Sequence, residues 1–300
     1  MIKVLVTGAA GQVGQDLLDV LAGRIPPGGD PTFQPDGSAI SPDDFSVMGL
    51  THHDLDVTDV VAVHRTVGMV RPDIIVHLAA YTAVDKAESD AATCFAVNEV
   101  GTGNLSDAAF EFGARLIAVS TDYVYDGRKG ATYVESDATN PSGVYGRSKL
   151  AGELRCRPQD TIVRTSWVMG LRGRNVLHVI ADRVARNEPV RFVTDQVGTP
   201  TFAADLARAL ASFARRPLGG IWHVANRGTT SWFTVAETAA REFGAPAGFV
   251  RPIVTDELSP APAATRPPRS DLSTQKWESA GFEPMPEWTA GLSRFAAARN

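Results

Sequence analysis

Tyr145 and Lys149 stand four residues apart in the run Tyr-Gly-Arg-Ser-Lys. On a helix that spacing puts both side chains on one face, so a phenol and an ammonium can share a pocket. An isolated phenol titrates near about 10, too high to shuttle protons at neutral pH, and a neighbouring cation lowers that value by favouring the phenolate. A hydroxyl pair, Ser120-Thr121, followed by Asp122, lies upstream. Near the start of the chain, Gly8-Ala-Ala-Gly11-Gln-Val-Gly14 follows the apolar run Lys3-Val-Leu-Val-Thr7. Each piece alone is ordinary: Tyr-x-x-x-Lys also suits an exposed helix face, and a strand-end hydroxyl often satisfies its own backbone. Together they read as the site of a nicotinamide-dependent oxidoreductase.

The elements that must hold these groups follow from periodicity. Short β-branched runs alternate with helical stretches, the pattern of a doubly wound, Rossmann-like α/β fold with a parallel sheet. Strands are expected at 3–7, 46–50, 74–78, 115–120, 161–165, 190–193 and 221–224. Helices are expected at 13–22, 60–70, 91–112, 145–155, 176–186, 203–215 and 232–243. The glycine run then forms a strand-to-helix turn, whose helix N-terminus offers free N–H groups to a diphosphate. Its spacing is GxxGxxG, so the general dinucleotide pattern GxGxxG is not met. Ser120 and Thr121 fall at a strand's carboxyl end, where doubly wound sheets bind ligands. A first domain is expected over residues 1–168, with roughly 190–225 returning to it. Residues 169–189 and 226–300 then form a smaller mixed α/β substrate domain.

Composition narrows the class. Three hundred residues with 44% apolar and 21% charged side chains fit a soluble globular protein, and a net charge of -5 without a Lys/Arg block argues against nucleic acid. An anionic ligand must therefore be gripped by local donors. The two cysteines, Cys94 and Cys156, show no metal-type spacing and fit a reducing compartment. The first apolar run stops at Gly8, short of a secretion signal or a membrane span, so a cytoplasmic protein with no membrane partner is expected. His52, His53, Asp54 and Asp56 read as a solvated turn, since no further ligand completes a metal set. A GxSxG elbow is missing, leaving a hydrolase without support. Residues 26–43 hold five prolines and three glycines in 18 positions. They read as a surface excursion rather than a lid, and residues 259–268 as an extended crossing segment.

The stretches VTGAAGQVGQDL, HLAAYTAVDKAES, VSTDYVYDG, YGRSKLAGE, IVRTSWV, DQVGTPT and RPPRS resemble the extended short-chain dehydrogenase/reductase family and, within it, the dTDP-4-dehydrorhamnose reductase branch. The glycine loop and Tyr/Lys pair are shared across the superfamily; GQxG and the run Tyr81 to Glu88 are particular to that branch. The resemblance implies reduction of the C4 keto group of a dTDP-linked 4-keto-6-deoxy sugar. It gives the catalytic roles to Thr121, Tyr145 and Lys149. Cofactor contacts are implied for Gly8, Gly11, Gln12, Val13, Asp56, Val57, Ala79, Ala80, Tyr81 and Asn98, together with Tyr145 and Lys149. Substrate contacts are implied for Thr82, Val84, Thr121, Tyr123, Trp167, Gln196 and Arg266. A monomer or homodimer is expected.

The second strand ends Leu50-Thr51-His52-His53, without the carboxylate that favours NAD or an arginine for a 2′-phosphate. That absence leans toward NADPH, with NADH open. Some relatives bridge subunits through glutamates and a divalent cation; Ala204 stands where one such glutamate is expected, so no metal is expected. Two other readings stay open. One is a sugar-nucleotide epimerase or 4,6-dehydratase, although a dehydratase is expected to carry an acidic pair where Asp122 is followed by Tyr123. The other is a non-catalytic nucleotide-binding regulatory subunit.

Overall fold

The structure, a computed structural model, describes residues 1–299. Six parallel strands form its central sheet. In chain order they are β1 (Ile2–Thr7), β2 (Phe45–Leu50), β3 (Ile74–His77), β4 (Arg115–Thr121), β5 (Thr161–Thr165) and an edge strand, Gly220–His223. Their spatial order is the edge strand, β5, β4, β3, β1, β2. The connections thus change direction between β3 and β1, and a crevice opens there beyond the strands' carboxyl ends, the usual ligand position in such sheets.

Period-two alternation sends successive side chains to opposite faces. Val4 and Val6 of β1 join the core beneath α1 (Gln12–Leu21) and the Ala203–Arg215 helix. Leu5, between them, joins the core beneath α2 (Val60–Val70) and the Gly101–Phe112 helix. Both faces are therefore covered, which explains why the strands are continuously apolar. A third cluster, including Met169, Leu177, Phe202, Val235 and Phe295, lies among the elements after β5.

The helix expected at 91–112 is one continuous run, but not one kind of helix. Ala91–Phe95 is α-helical, Ala96–Val100 is a π-turn and Gly101–Phe112 is α-helical again. Such bulges cluster at functional sites, and this one contains Asn98. Strand Val190–Val193, expected back in the main sheet, instead pairs in parallel with Val250–Ile253 as a separate two-stranded sheet. Only the 220–223 strand returns to the main sheet, beside β5.

Residues 26–43 run across the surface without lining the main cleft, yet they are firmly anchored. Phe33 is buried in the core under α1, and Arg208 Nη1 donates to its carbonyl at 2.8 Å. Arg215 donates to the Ser38 and Ala39 carbonyls at 3.0 and 2.6 Å and pairs with Asp36 and Asp44. Arg294 donates to the Gly28 carbonyl at 3.0 Å. Hydrogen bonds from charged donors are the stronger class, about 1.5–3 kcal/mol each. Arg215→Ala should therefore lower unfolding free energy by roughly 1–3 kcal/mol and open residues 36–44 to protease. Urea unfolding and limited proteolysis test this, and unchanged cleavage would mean the segment is held elsewhere.

Candidate active site

The glycine turn is shaped by exclusion. Gly8 adopts φ +71, and a Cβ there would lie 2.5 Å from the Ala79 backbone nitrogen. A Cβ at Gly14 would lie 2.3 Å from the Gly8 carbonyl oxygen. Only hydrogen fits at either position, so the chain turns tightly off β1 and brings the start of α1 against the end of β3. Gly11 caps α1 with no side-chain hydrogen bond, and no acidic residue occupies the first turn. The helix therefore presents its first N–H groups and positive end to a cleft of about 520 Å³. Gly8, Gly11, Gln12 and Val13 line one side of that cleft. Gln12 is fixed there, its amide oxygen accepting from Asn175 Nδ2 at 2.9 Å.

Thr121 and Tyr145 face the same cleft from different elements. Tyr145 and Lys149 lie on the Val144–Arg155 helix, whose first N–H is capped by Glu88 at 2.8 Å. Two glycines let this helix approach its neighbours. A Cβ at Gly146 would be 2.2 Å from the Tyr123 carbonyl oxygen, and one at Gly152 would be 2.2 Å from the Asn98 carbonyl oxygen. Thr121, at the end of β4, accepts from Tyr123 N at 3.2 Å and donates to Asp122 Oδ1 at 3.1 Å. Ser270 donates to the other Asp122 oxygen at 2.5 Å.

The electrostatics differ from the helix-face expectation. Burial pushes the Tyr145 phenol well above its ordinary range, with the neighbouring Thr121 hydroxyl opposing and the Asp122 charge adding to the rise. The Lys149 ammonium does not reverse this, because it is turned inward and donates to the Val119 carbonyl at 2.7 Å. Burial lowers Lys149 to about 8 and raises Asp122 to about 7. Desolvation is thus the largest influence on the phenol, and Tyr145 is protonated at neutral pH.

The other residues implied by resemblance divide into two groups. Ala80, Thr82, Val84, Tyr123 and Trp167 line the cleft. Asp56, Val57, Ala79, Tyr81, Asn98, Gln196 and Arg266 do not, and most have definite structural contacts. Asp56 accepts from the Thr58 amide and hydroxyl, and Val57 packs against Gly101. Asn98 accepts from Tyr81 N at 2.9 Å and donates to Tyr81 O at 3.1 Å and Ser148 Oγ at 2.9 Å. It thereby ties the loop after β3 to the Val144–Arg155 helix. Gln196 donates to Thr255 Oγ1 at 3.0 Å. Arg266 makes a forked pair with Asp85, at 3.0 and 2.7 Å, because that carboxylate matches the guanidinium geometry.

Several lining residues were not anticipated. Trp232 stacks on Trp167 with ring centroids 3.9 Å apart and planes 12° apart, and both line the cleft. Trp167 adopts φ +48, rare for so bulky a residue and characteristic of functional sites. Arg174 and Asn175 also line the cleft. Asn175 had a readable local signal, since it caps the Val176–Ala185 helix. Trp232, at the start of its helix, had none beyond residue type.

The family model described as RmlD substrate binding domain matches residues 37–300. A dTDP-4-dehydrorhamnose reductase of Streptomyces griseus is 40% identical over 96% of the chain and 91% of its own length. A dTDP-4-keto-6-deoxy-D-glucose reductase of Streptomyces niveus is 36% identical over 97% of the chain and 95% of its own. Among solved structures, a dTDP-4-dehydrorhamnose reductase of Bacillus anthracis in complex with NADP superposes with a TM-score of 0.87. It is 33% identical and covers 98% of each chain.

The indole stack has its own steric test. A Cβ at Gly198 would lie 2.6 Å from Trp167 Cε2, so Gly198→Ala must push that ring off its seat. Overpacking of this kind costs about 1–3 kcal/mol. The variant should lose that much stability together with the circular-dichroism signature of two coupled indoles. If the signature survives intact, Gly198 does not seat Trp167.

Proposed function

The chain belongs to the dTDP-4-dehydrorhamnose reductase family of extended short-chain dehydrogenase/reductases, and from that premise we propose that it reduces the C4 keto group of a dTDP-linked 4-keto-6-deoxy hexose. The hydride donor in this reading is NADPH, with NADH as an alternative. The observation that carries it is the convergence of Thr121, Tyr145 and Lys149 on the cleft walled by the glycine turn. The relatives' names differ in the sugar, so the proposal is made for the class of 4-keto-6-deoxy hexoses.

The residues fit the cofactor. The hydrogen-only positions at Gly8 and Gly14 and the N-terminus of α1, free of a side-chain cap, suit a diphosphate. Gln12 and Val13 flank it, and Lys149 would hold the nicotinamide ribose. When bound, NADPH supplies the hydride. Tyr145, kept protonated by burial, donates its phenolic proton to the substrate's carbonyl oxygen as negative charge develops there. Thr121 shares that oxygen through its hydroxyl. The phenolate left behind lies one helical turn from Lys149, on the same helix face. On the sugar side Thr82, Val84, Tyr123 and Trp167 form the wall. The substrate's diphosphate would draw Arg266 from its pairing with Asp85, one anion replacing another on the same guanidinium.

Incubating the protein with NADPH and a dTDP-linked 4-keto-6-deoxy sugar tests the activity itself. Stoichiometric NADPH consumption with a reduced product is expected. A changed sugar without NADPH consumption would make it an epimerase or dehydratase, and binding without change a regulatory subunit; either result defeats the reading. Tyr145→Phe should lower kcat by about 10²–10⁴-fold, the usual contribution of a positioned acid, while NADPH affinity stays within roughly twofold of wild type. Lys149→Met should weaken NADPH binding as well as turnover. A Tyr145→Phe enzyme keeping half its kcat would take that phenol out of the chemistry.

A further inference from the structure

Beneath the catalytic helix lies a charged group that the reaction scheme does not use. Glu153 and Arg164 are both nearly inaccessible, with side chains 5% and 2% exposed. Arg164 Nη2 donates to Glu153 Oε2 at 2.6 Å, and its Nε donates to Oε1 at 2.9 Å. Ser120, adjacent to Thr121, donates to the same Oε1 at 2.5 Å. Arg164 Nη1 donates onward to the Tyr125 hydroxyl at 2.7 Å. Arg164 is the single charge in an otherwise apolar or hydroxyl-bearing strand, β5. Glu153 is one helical turn beyond Lys149, on the face that already carries Tyr145.

A buried ion pair is weak evidence for stability, since apolar residues of similar volume often serve as well or better. This pair has a further neighbour. Lys149 is buried and has as its hydrogen-bond partner a neutral carbonyl, Val119 O. We propose that Glu153 is a positioning residue: its carboxylate, anchored by Arg164 and Ser120, is the counter-ion that keeps Lys149 charged and seated in the site. The proposal rests on the hydride-transfer reading for its functional meaning.

The surroundings of Lys149 leave this role to Glu153. Burial lowers the ammonium, and Glu153 is the largest influence opposing that fall. From the neighbouring elements Lys149 meets the thiols of Cys94 and Cys156, both pushed up by burial and hence neutral. His77 on β3 is held to about 3 by burial and by Lys149 itself, and is neutral too. Tyr145, on the same face, is protonated, and Asp122 acts on Tyr145 rather than on Lys149. Arg164 pairs with Glu153 and not with Lys149.

The sign follows directly. Without the carboxylate the ammonium loses its attraction, its pKa falls, and activity that requires charged Lys149 disappears at lower pH. The full chain has five lysines, few enough for their labelled ε-carbons to be resolved by NMR and assigned with Lys149→Met. In Glu153→Gln the Lys149 titration should fall by at least about one pH unit. The basic limb of the kcat/KM profile should move the same way. Glu153→Gln leaves the buried Arg164 without a counter-ion and can unfold the chain. The double variant Glu153→Gln with Arg164→Met keeps the core neutral and should show a downward shift too, smaller because no unpaired Arg164 charge adds to it. An unmoved Lys149 titration in either folded variant overturns the proposal. The NMR titration needs no substrate, so a wild-type protein that consumes no NADPH would sink the reductase reading while leaving this result standing.

Discussion

The site depends on how closely one helix can lie against the sheet and its neighbours. At Gly146 and Gly152 the Val144–Arg155 helix meets main-chain carbonyls at distances that no Cβ could tolerate. That proximity brings the phenol of Tyr145 beside Thr121, lets Ser148 reach Asn98, and puts Lys149 within reach of Val119 O. The π-turn at Ala96–Val100 belongs to the same arrangement. Within it the Asn98 carbonyl accepts from Thr102 Oγ1 at 2.7 Å, and the Asn98 side chain clamps the Tyr81 backbone. Packing, helix geometry and chemistry are therefore one constraint, and a methyl group at the wrong glycine would disturb all three.

Desolvation then decides the charge states. In water a lysine next to a tyrosine lowers the phenol's pKa; here burial is the larger effect on both. A protonated phenol is the form a reductive direction requires, because the substrate oxygen must gain a proton. The site also contains a carboxyl, Asp122, raised to about 7 by burial and held by two hydroxyls. Its charge can change near neutrality without leaving either hydroxyl unpartnered.

What was legible in the sequence is what short-range spacing determines. The strands of the main sheet, the glycine turn after β1 and the Tyr145/Lys149 helix face are set by periods of two and four and by residues adjacent in the chain. The RmlD-family membership was legible too, through stretches spread along the whole length. Long-range partnership was not. Nothing local tells Val190–Val193 to pair with Val250–Ile253, or Arg266 to take Asp85, or Trp232 to stack on Trp167. The Glu153–Arg164 pair left a faint trace, an arginine in the middle of a buried strand, which implies a buried partner without naming it. The expectation that Lys149 lowers the tyrosine's pKa failed because spacing gives proximity along a helix but says nothing of burial.

The segment of residues 26–43 is grasped largely by its backbone. Arg208, Arg215 and Arg294 reach the carbonyls of Phe33, Ser38, Ala39 and Gly28, and a carbonyl is offered by every residue type. Exposed side chains along this stretch are therefore free to drift, unlike Phe33 and Ile40 at the core, the buried Pro26 and Pro35, Gly28 and Gly37 with their positive φ, and the aspartates that pair with arginine. Its path and length are not free, since a residue gained or lost between two anchored carbonyls would shift them out of register with the arginines. In related chains this region should vary in composition far more readily than in the spacing between its anchors.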